Sequence, residues 1–225
     1  MAHVSQRADG RSLPRRRRPA AAWLLPLLPL APIHAAGYRI DNTRSQAVFG
    51  VRLLWLHEIS GSFRHISGAV RPGPQPASMI VDANITVSSV TMDSPRMRRW
   101  VLAREFFDAA DHPTIRFVSD PVPWATLEHG GALPGRLSLR GVNAPVHFTL
   151  HPMHCSGPAP APCRIALDGT LIRSDFGMTA HRATLSDKVR FNLAIVLLPI
   201  VPGEPGEPGM PLPAHGHEKI MIGSQ

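Results

Sequence analysis

Cysteine is nearly absent from this 225-residue chain, which holds only Cys155 and Cys163. They form neither a CxxC pair nor a metal-ligand spacing, so a structural bridge is favoured over a redox or metal role. The chain also lacks a Gly-x-Ser-x-Gly nucleophile elbow, its twelve histidines are scattered, and the one His-x-x-x-His spacing, His147 and His151, falls in a segment that alternates as a strand rather than on a zinc helix. Asp175-Phe176-Gly177 matches the kinase metal-binding triplet in letters alone. No glycine-rich loop, strand lysine or catalytic loop accompanies it, and a turn is the better reading. Aromatic residues make up only 6% of the chain, with no run that could stack nucleic-acid bases. No apolar run reaches the roughly 20 residues that a membrane helix needs. These absences predict a protein that is not an enzyme, with no cofactor, no metal, no nucleic-acid partner and no stable membrane span. His215-Gly216-His217-Glu218 reads as solvated tail rather than a metal site.

The formal net charge is +8, and much of it sits at the front. Residues 1–36 carry Arg7, Arg11 and Arg15 to Arg18 against Asp9 alone, which leaves eighteen basic and fifteen acidic residues beyond them. The arginine run is followed by the apolar stretch Ala20 to Ile33, interrupted by Pro26, Pro29 and Pro32, and then by Ala35, Ala36 and Gly37. Basic, apolar, then small is the order of a secretory signal peptide, so residues 1–36 are predicted to be a leader and the mature chain to start near Gly37. Export into an oxidising compartment in turn predicts a disulfide between Cys155 and Cys163, which bracket a proline-rich bend. Beyond Pro199 the composition turns Pro-, Gly- and Glu-rich, and residues 199–225 are predicted to be a disordered tail.

Between leader and tail, residues 37–198 read as one all-β domain. Short alternating segments are separated by turn residues, the pattern of an antiparallel sheet with one face on an apolar interior. Eight strands are predicted: Ser45 to Leu56, Gly61 to Arg71, Ser78 to Ser88, Thr114 to Val122, Leu133 to Arg140, Ala144 to His154, Cys163 to Ile172 and Lys188 to Leu198. Gly141-Val142-Asn143 reads as the turn joining the fifth and sixth. Ser94-Pro95 is a helix start, with Met97, Trp100, Val101 and Phe107 following at helical spacing, so a short helix or lid is expected to cross here. Eight strands at regular spacing suggest a barrel or a sandwich, and closure into an eight-stranded antiparallel barrel is the simpler way to remove exposed edges; such a barrel either fills with side chains or holds one small ligand.

Several segments in this order resemble the YceI-like family: Tyr38-Arg39-Ile40-Asp41 with Val48-Phe49, Gly61-Ser62-Phe63, Glu105-Phe106-Phe107-Asp108 before His112-Pro113-Thr114, and Gly135-Arg136-Leu137-Ser138-Leu139-Arg140-Gly141-Val142. Arg173-Ser174-Asp175-Phe176-Gly177-Met178 and Asp187 to Phe191 extend the likeness, which covers about Tyr38 to Leu198. It implies a lipocalin-like, polyisoprenoid-binding barrel of the bacterial periplasm, with an apolar tunnel for isoprenoid chains or other long lipids. The Cys155 to Cys163 insert and the tail lie outside the shared pattern. Leu53-Leu54-Trp55 stands where the family often has a polar residue or a histidine.

The candidate ligand-binding residues are Phe49, Val51, Leu53, Phe63, Phe106, Phe107, Phe117, Phe148, Phe176, Met178 and Phe191, because apolar pockets bury a ligand against such side chains. Phe106 and Phe107 fall on the irregular crossover, where a lid would touch ligand. The leading expectation is a periplasmic carrier of a long apolar ligand. The alternatives are a sealed barrel acting as a structural or interaction protein of the envelope, and a secreted hydrolase of an envelope lipid; a homodimer is also compatible.

Overall fold

The structure is a computed structural model and describes residues 37–54 and 56–200. The predicted leader, nearly all of the predicted tail and the His215 to Glu218 cluster lie outside the described residues. In chain order the strands are β1 (Tyr38–Ile40), β2 (Gln46–Leu53), β3 (His57–Phe63), β4 (Ile66–Pro72), β5 (Ser78–Thr86), β6 (Val90–Thr91), β7 (Thr114–Ser119), β8 (Val122–Pro123), β9 (Gly131–Leu139), β10 (Val142–Leu150), β11 (His154–Cys155), β12 (Cys163–Ile172) and β13 (Leu185–Pro199). Two helices, α1 (Pro95–Leu102) and α2 (Trp124–His129), interrupt them.

Antiparallel pairing runs β1–β4–β5–β7–β9–β10–β12–β13 and returns to β1, closing an eight-stranded barrel. Three staves are built from two pieces each. β2 continues β1 along the same edge of β13, β3 and β4 form the next stave, and β5 continues through a short 3-10 turn, Val87–Ser89, into β6. Closure pairs the backbone polar groups around the barrel; edges remain only at its ends, where β11 and β6 pair on one side and β3 meets β6 only at Ser62 and Phe63. The strands form because their sequences alternate. In β9, Leu133, Gly135, Leu137 and Leu139 are buried while Arg136 is exposed. In β10, Val146, Phe148 and Leu150 are buried while His147 and Thr149 face solvent.

The eight predicted strands are all present, with differences that have local causes. The turn between β9 and β10 is Arg140-Gly141, not Gly141-Val142-Asn143: both residues have positive φ, 51° and 73°, and Val142 already pairs with Leu139. Two positive φ values make the tight hairpin turn whose twist matches its strands. Arg140 holds that conformation while its guanidinium donates to the carbonyls of Arg104 and Phe176. Ser94 caps α1 by accepting from the Arg96 amide, with Pro95 in the first turn, as the sequence indicates. The helix ends at Leu102, however, so Phe107 lies in the turns after it rather than on its face. Helix α2 and the short strands β1, β8 and β11 carry too few residues to show a period. Cys155 and Cys163 are disulfide-bonded and sit opposite each other in the β11–β12 ladder.

Candidate functional site: the barrel interior

The alternating inward residues meet in one core cluster that extends from Tyr38 to Leu197. Within it lie two adjoining chambers of about 70 and 50 Å³, on a scale where a single water needs about 10–15 Å³. Every residue lining the first is apolar, among them Phe63, Ile115, Phe117, Phe148, Ile165 and Ile195. The second is lined by Phe49, Val51, Ile59, Trp100, Phe106, Phe176, Met178 and Leu185, and Arg173 is its one charged wall residue. Phe107, Leu139, Leu171 and Phe191 belong to both, and therefore form the partition between them. Without polar partners such space does not hold ordered water, so it is suited to hydrocarbon.

The two ends of the barrel are built differently. At one end Tyr38 stacks on Trp124 with ring centroids 5.9 Å apart, and Leu127 of α2 is fully buried. Burial, and secondarily the charge of Glu128, raise the pKa of the Tyr38 phenol. The disulfide hairpin belongs to this end too. At the other end α1 and the turns after it cross the opening: Phe106 packs edge-on against Trp100 at 4.3 Å, and Phe107 reaches inward to meet Phe49 and Phe63 edge-on at 5.8 and 5.4 Å. Phe107 is thus a buried plug at the partition rather than an exposed lid residue.

Arg173 is the charged residue among the described ones that line the chambers. It is only 2% exposed, and its guanidinium donates to the carbonyls of Met178, Ala180, Leu185 and Ser186. Those bonds tie the 3-10 turn Arg173–Phe176, and the loop after it, to the start of β13. Burial lowers the Arg173 pKa and Arg182 adds to the effect, while Asp187 opposes both. Asp175-Phe176-Gly177 is part of this turn, with Phe176 buried and Gly177 left-handed at φ 73°.

Ten of the eleven residues singled out by sequence line the two chambers. Leu53 does not: it is half-buried and packs on the small cluster of Val51, Phe106 and Leu185. Alternation carries the first strand's inward face only as far as Val51, because the ladder with β13 is irregular between Val189 and Leu185. Sequence reasoning missed Ile59, Met92, Trp100, Leu185 and Arg173. Strand alternation could have found Ile59; the others stand on turns, helix ends or irregular pairing, which have no such period.

A closed antiparallel barrel with an apolar, partitioned interior is the architecture of a small binding protein. The YceI-like domain family model matches residues 38–197, and the chain belongs to that family. Its fold is similar to Burkholderia cenocepacia BcnA, with a TM-score of 0.60 at 19% identity over 70% of this chain and 98% of that one. A polyisoprenoid binding domain from Saccharophagus degradans, implicated in plant cell wall breakdown, gives 0.55 at 16% identity, covering 74% and 99%. Campylobacter jejuni YceI protein gives 0.52 at 20% identity, covering 63% and 85%. No curated protein sequence matches this chain.

Proposed function

We propose that this protein is a periplasmic carrier that holds a long apolar chain, isoprenoid or fatty, in its barrel and acts by binding rather than by catalysis. The observation that carries this reading is the pair of adjoining chambers with a hydrocarbon lining, which reward each buried CH₂ by about 0.8 kcal/mol. The polyisoprenoid-binding description of a structural neighbour supports the ligand class. The basic-apolar-small order of residues 1–36 and the disulfide support the periplasm. A chain threading both chambers must displace the partition, and Phe107 and Phe191 are its large members. The small volumes favour a second reading, a sealed barrel that serves as an interaction protein.

Titration of a fluorescent polyisoprenoid analogue of graded chain length separates the two. A carrier binds saturably, more tightly with length, and Phe107→Ala changes the length at which affinity levels off. Native mass spectrometry of protein recovered after mild extraction should show a bound lipid. Absence of saturable binding at every length would reject the carrier and leave the sealed barrel.

A further inference from the structure

At the α1 end of the barrel the β2–β3 hairpin exposes large apolar side chains at its tip. Leu54 is 53% exposed and Leu56 83%, the two most exposed large hydrophobic residues among the described ones. Both residues are nonetheless held by the backbone: the Leu54 amide donates to the Thr184 carbonyl and the Leu56 amide to that of Leu53, at 2.7 and 3.2 Å. Leu54 also holds a left-handed φ of 49°, a costly conformation for a leucine. A solvated turn gains nothing from leucine at either position.

Cations surround the tip. Arg52, Arg182 and Lys188 are exposed and make no ion pair among the described residues, and Arg52 and Lys188 line one surface groove with Arg190. The neighbouring carboxylates are engaged: Glu58 pairs with Arg190, Glu105 with His181, and Asp187 accepts from Ser174. At about 3.4 Å per residue, Arg52 lies about 7 Å behind Leu54 along the strand. An apolar element seated about 5–10 Å into the acyl boundary would hold that guanidinium among the phosphates.

We propose that this tip docks the barrel on an anionic lipid surface, with Leu54 and Leu56 entering the acyl boundary and Arg52, Lys188 and Arg182 contacting headgroup phosphates. The tip continues without a break into the second chamber. Val51 and Leu185 line that chamber, and Leu53 packs on both. Docking would bring the bilayer to the chamber's own wall, so a hydrocarbon chain could pass between them with little exposure to water. That route rests on the carrier reading; the docking surface does not.

Co-sedimentation of the full chain with vesicles tests it. Vesicles of phosphatidylcholine with phosphatidylglycerol should bind the protein, and phosphatidylcholine alone should bind it less. Leu54→Asn with Leu56→Ser should weaken binding about tenfold, and asparagine tolerates the left-handed turn, so thermal stability should hold. Arg52→Gln with Lys188→Gln should cost about fivefold per cation, and added salt should reduce that difference. All chains carry the same termini, so differences belong to the tip and its cations. Equal binding by wild type and the leucine variant, or equal binding to both vesicle types, overturns the docking surface. Polyisoprenoid uptake in vesicle-free solution is read in parallel. Vesicle binding without uptake leaves the docking and rejects the carrier; uptake without vesicle binding does the reverse.

Discussion

Phe148 lays its ring across Gly169 of the neighbouring strand, so closely that a Cβ on Gly169 would stand 2.4 Å from the ring's Cδ1. Phe49 stands against Gly61, and Phe117 against Gly135, in the same way, at 2.5 and 2.7 Å. A bare backbone beside each aromatic lets the ring rest on the wall. The volume of the chambers therefore depends on glycines as much as on the phenylalanines that line them.

Replacing Gly169 by alanine should push the Phe148 ring off the wall and into the first chamber. Strain and repacking should cost about 1–3 kcal/mol, and affinity for the longest polyisoprenoid analogue should fall. Gly157→Ala is the control, since nothing lies within 4 Å of its would-be Cβ. Thermal melts beside ligand titration measure both effects. Unchanged melting of the Gly169 variant would show that the ring has room to move elsewhere.

Arg173 should be close to irreplaceable for stability. Arg173→Leu removes the donors of four carbonyl contacts at the mouth, and the expected loss is about 3–5 kcal/mol. Arg173→Lys should recover only part of it, because an ammonium cannot reproduce the planar fork. Chemical denaturation of both variants checks the order. Hydrogen exchange should localise early opening to residues 173–186.

Asp41 ties the corner between β1 and β2. Its carboxylate accepts from the Thr43 amide and hydroxyl and from the Arg44 amide and guanidinium. The Thr43 side chain first, then Arg44, holds its pKa well below the ordinary carboxylate value. A depressed folded-state pKa gives stability that is fully present above the unfolded value, about 3.9, and is lost as pH falls toward the folded one. Wild-type stability should therefore decline below about pH 4, and Asp41→Asn should lower stability at neutral pH while flattening that acid limb. Melting curves across the acid range give the comparison. Parallel pH profiles for the two chains would show that Asp41 contributes nothing to the decline.

Reducing the Cys155–Cys163 disulfide should lower stability by about 2–3 kcal/mol, from the conformational freedom returned to the short unfolded loop. Both residues lie at the α2 end, away from either chamber's lining apart from the β12 strand itself. Ligand titration in reductant should accordingly give the same chain-length preference, with the melting temperature lowered. A changed length preference would mean that the hairpin shapes the interior.

The strands were legible in the sequence because their physics is local: alternation with period two over six to ten residues marks a half-buried strand. Eight such runs, from Phe49 and Val51 through Phe191, Leu193 and Ile195, were enough to give the strand count and most of the inward face. The order of motifs carried the family. Ring closure, the partition shared by Phe107, Leu139, Leu171 and Phe191, and the plug role of Phe107 were decided only in three dimensions. Each depends on which distant strands become neighbours, and no window of sequence contains both partners. The same holds for Arg173, whose carbonyl partners come from two segments brought together by the β12–β13 ladder. Leu53 differs for a local reason with a tertiary cause: a slip in that strand's partner turns one apolar residue out of the lumen, although its own sequence alternates correctly.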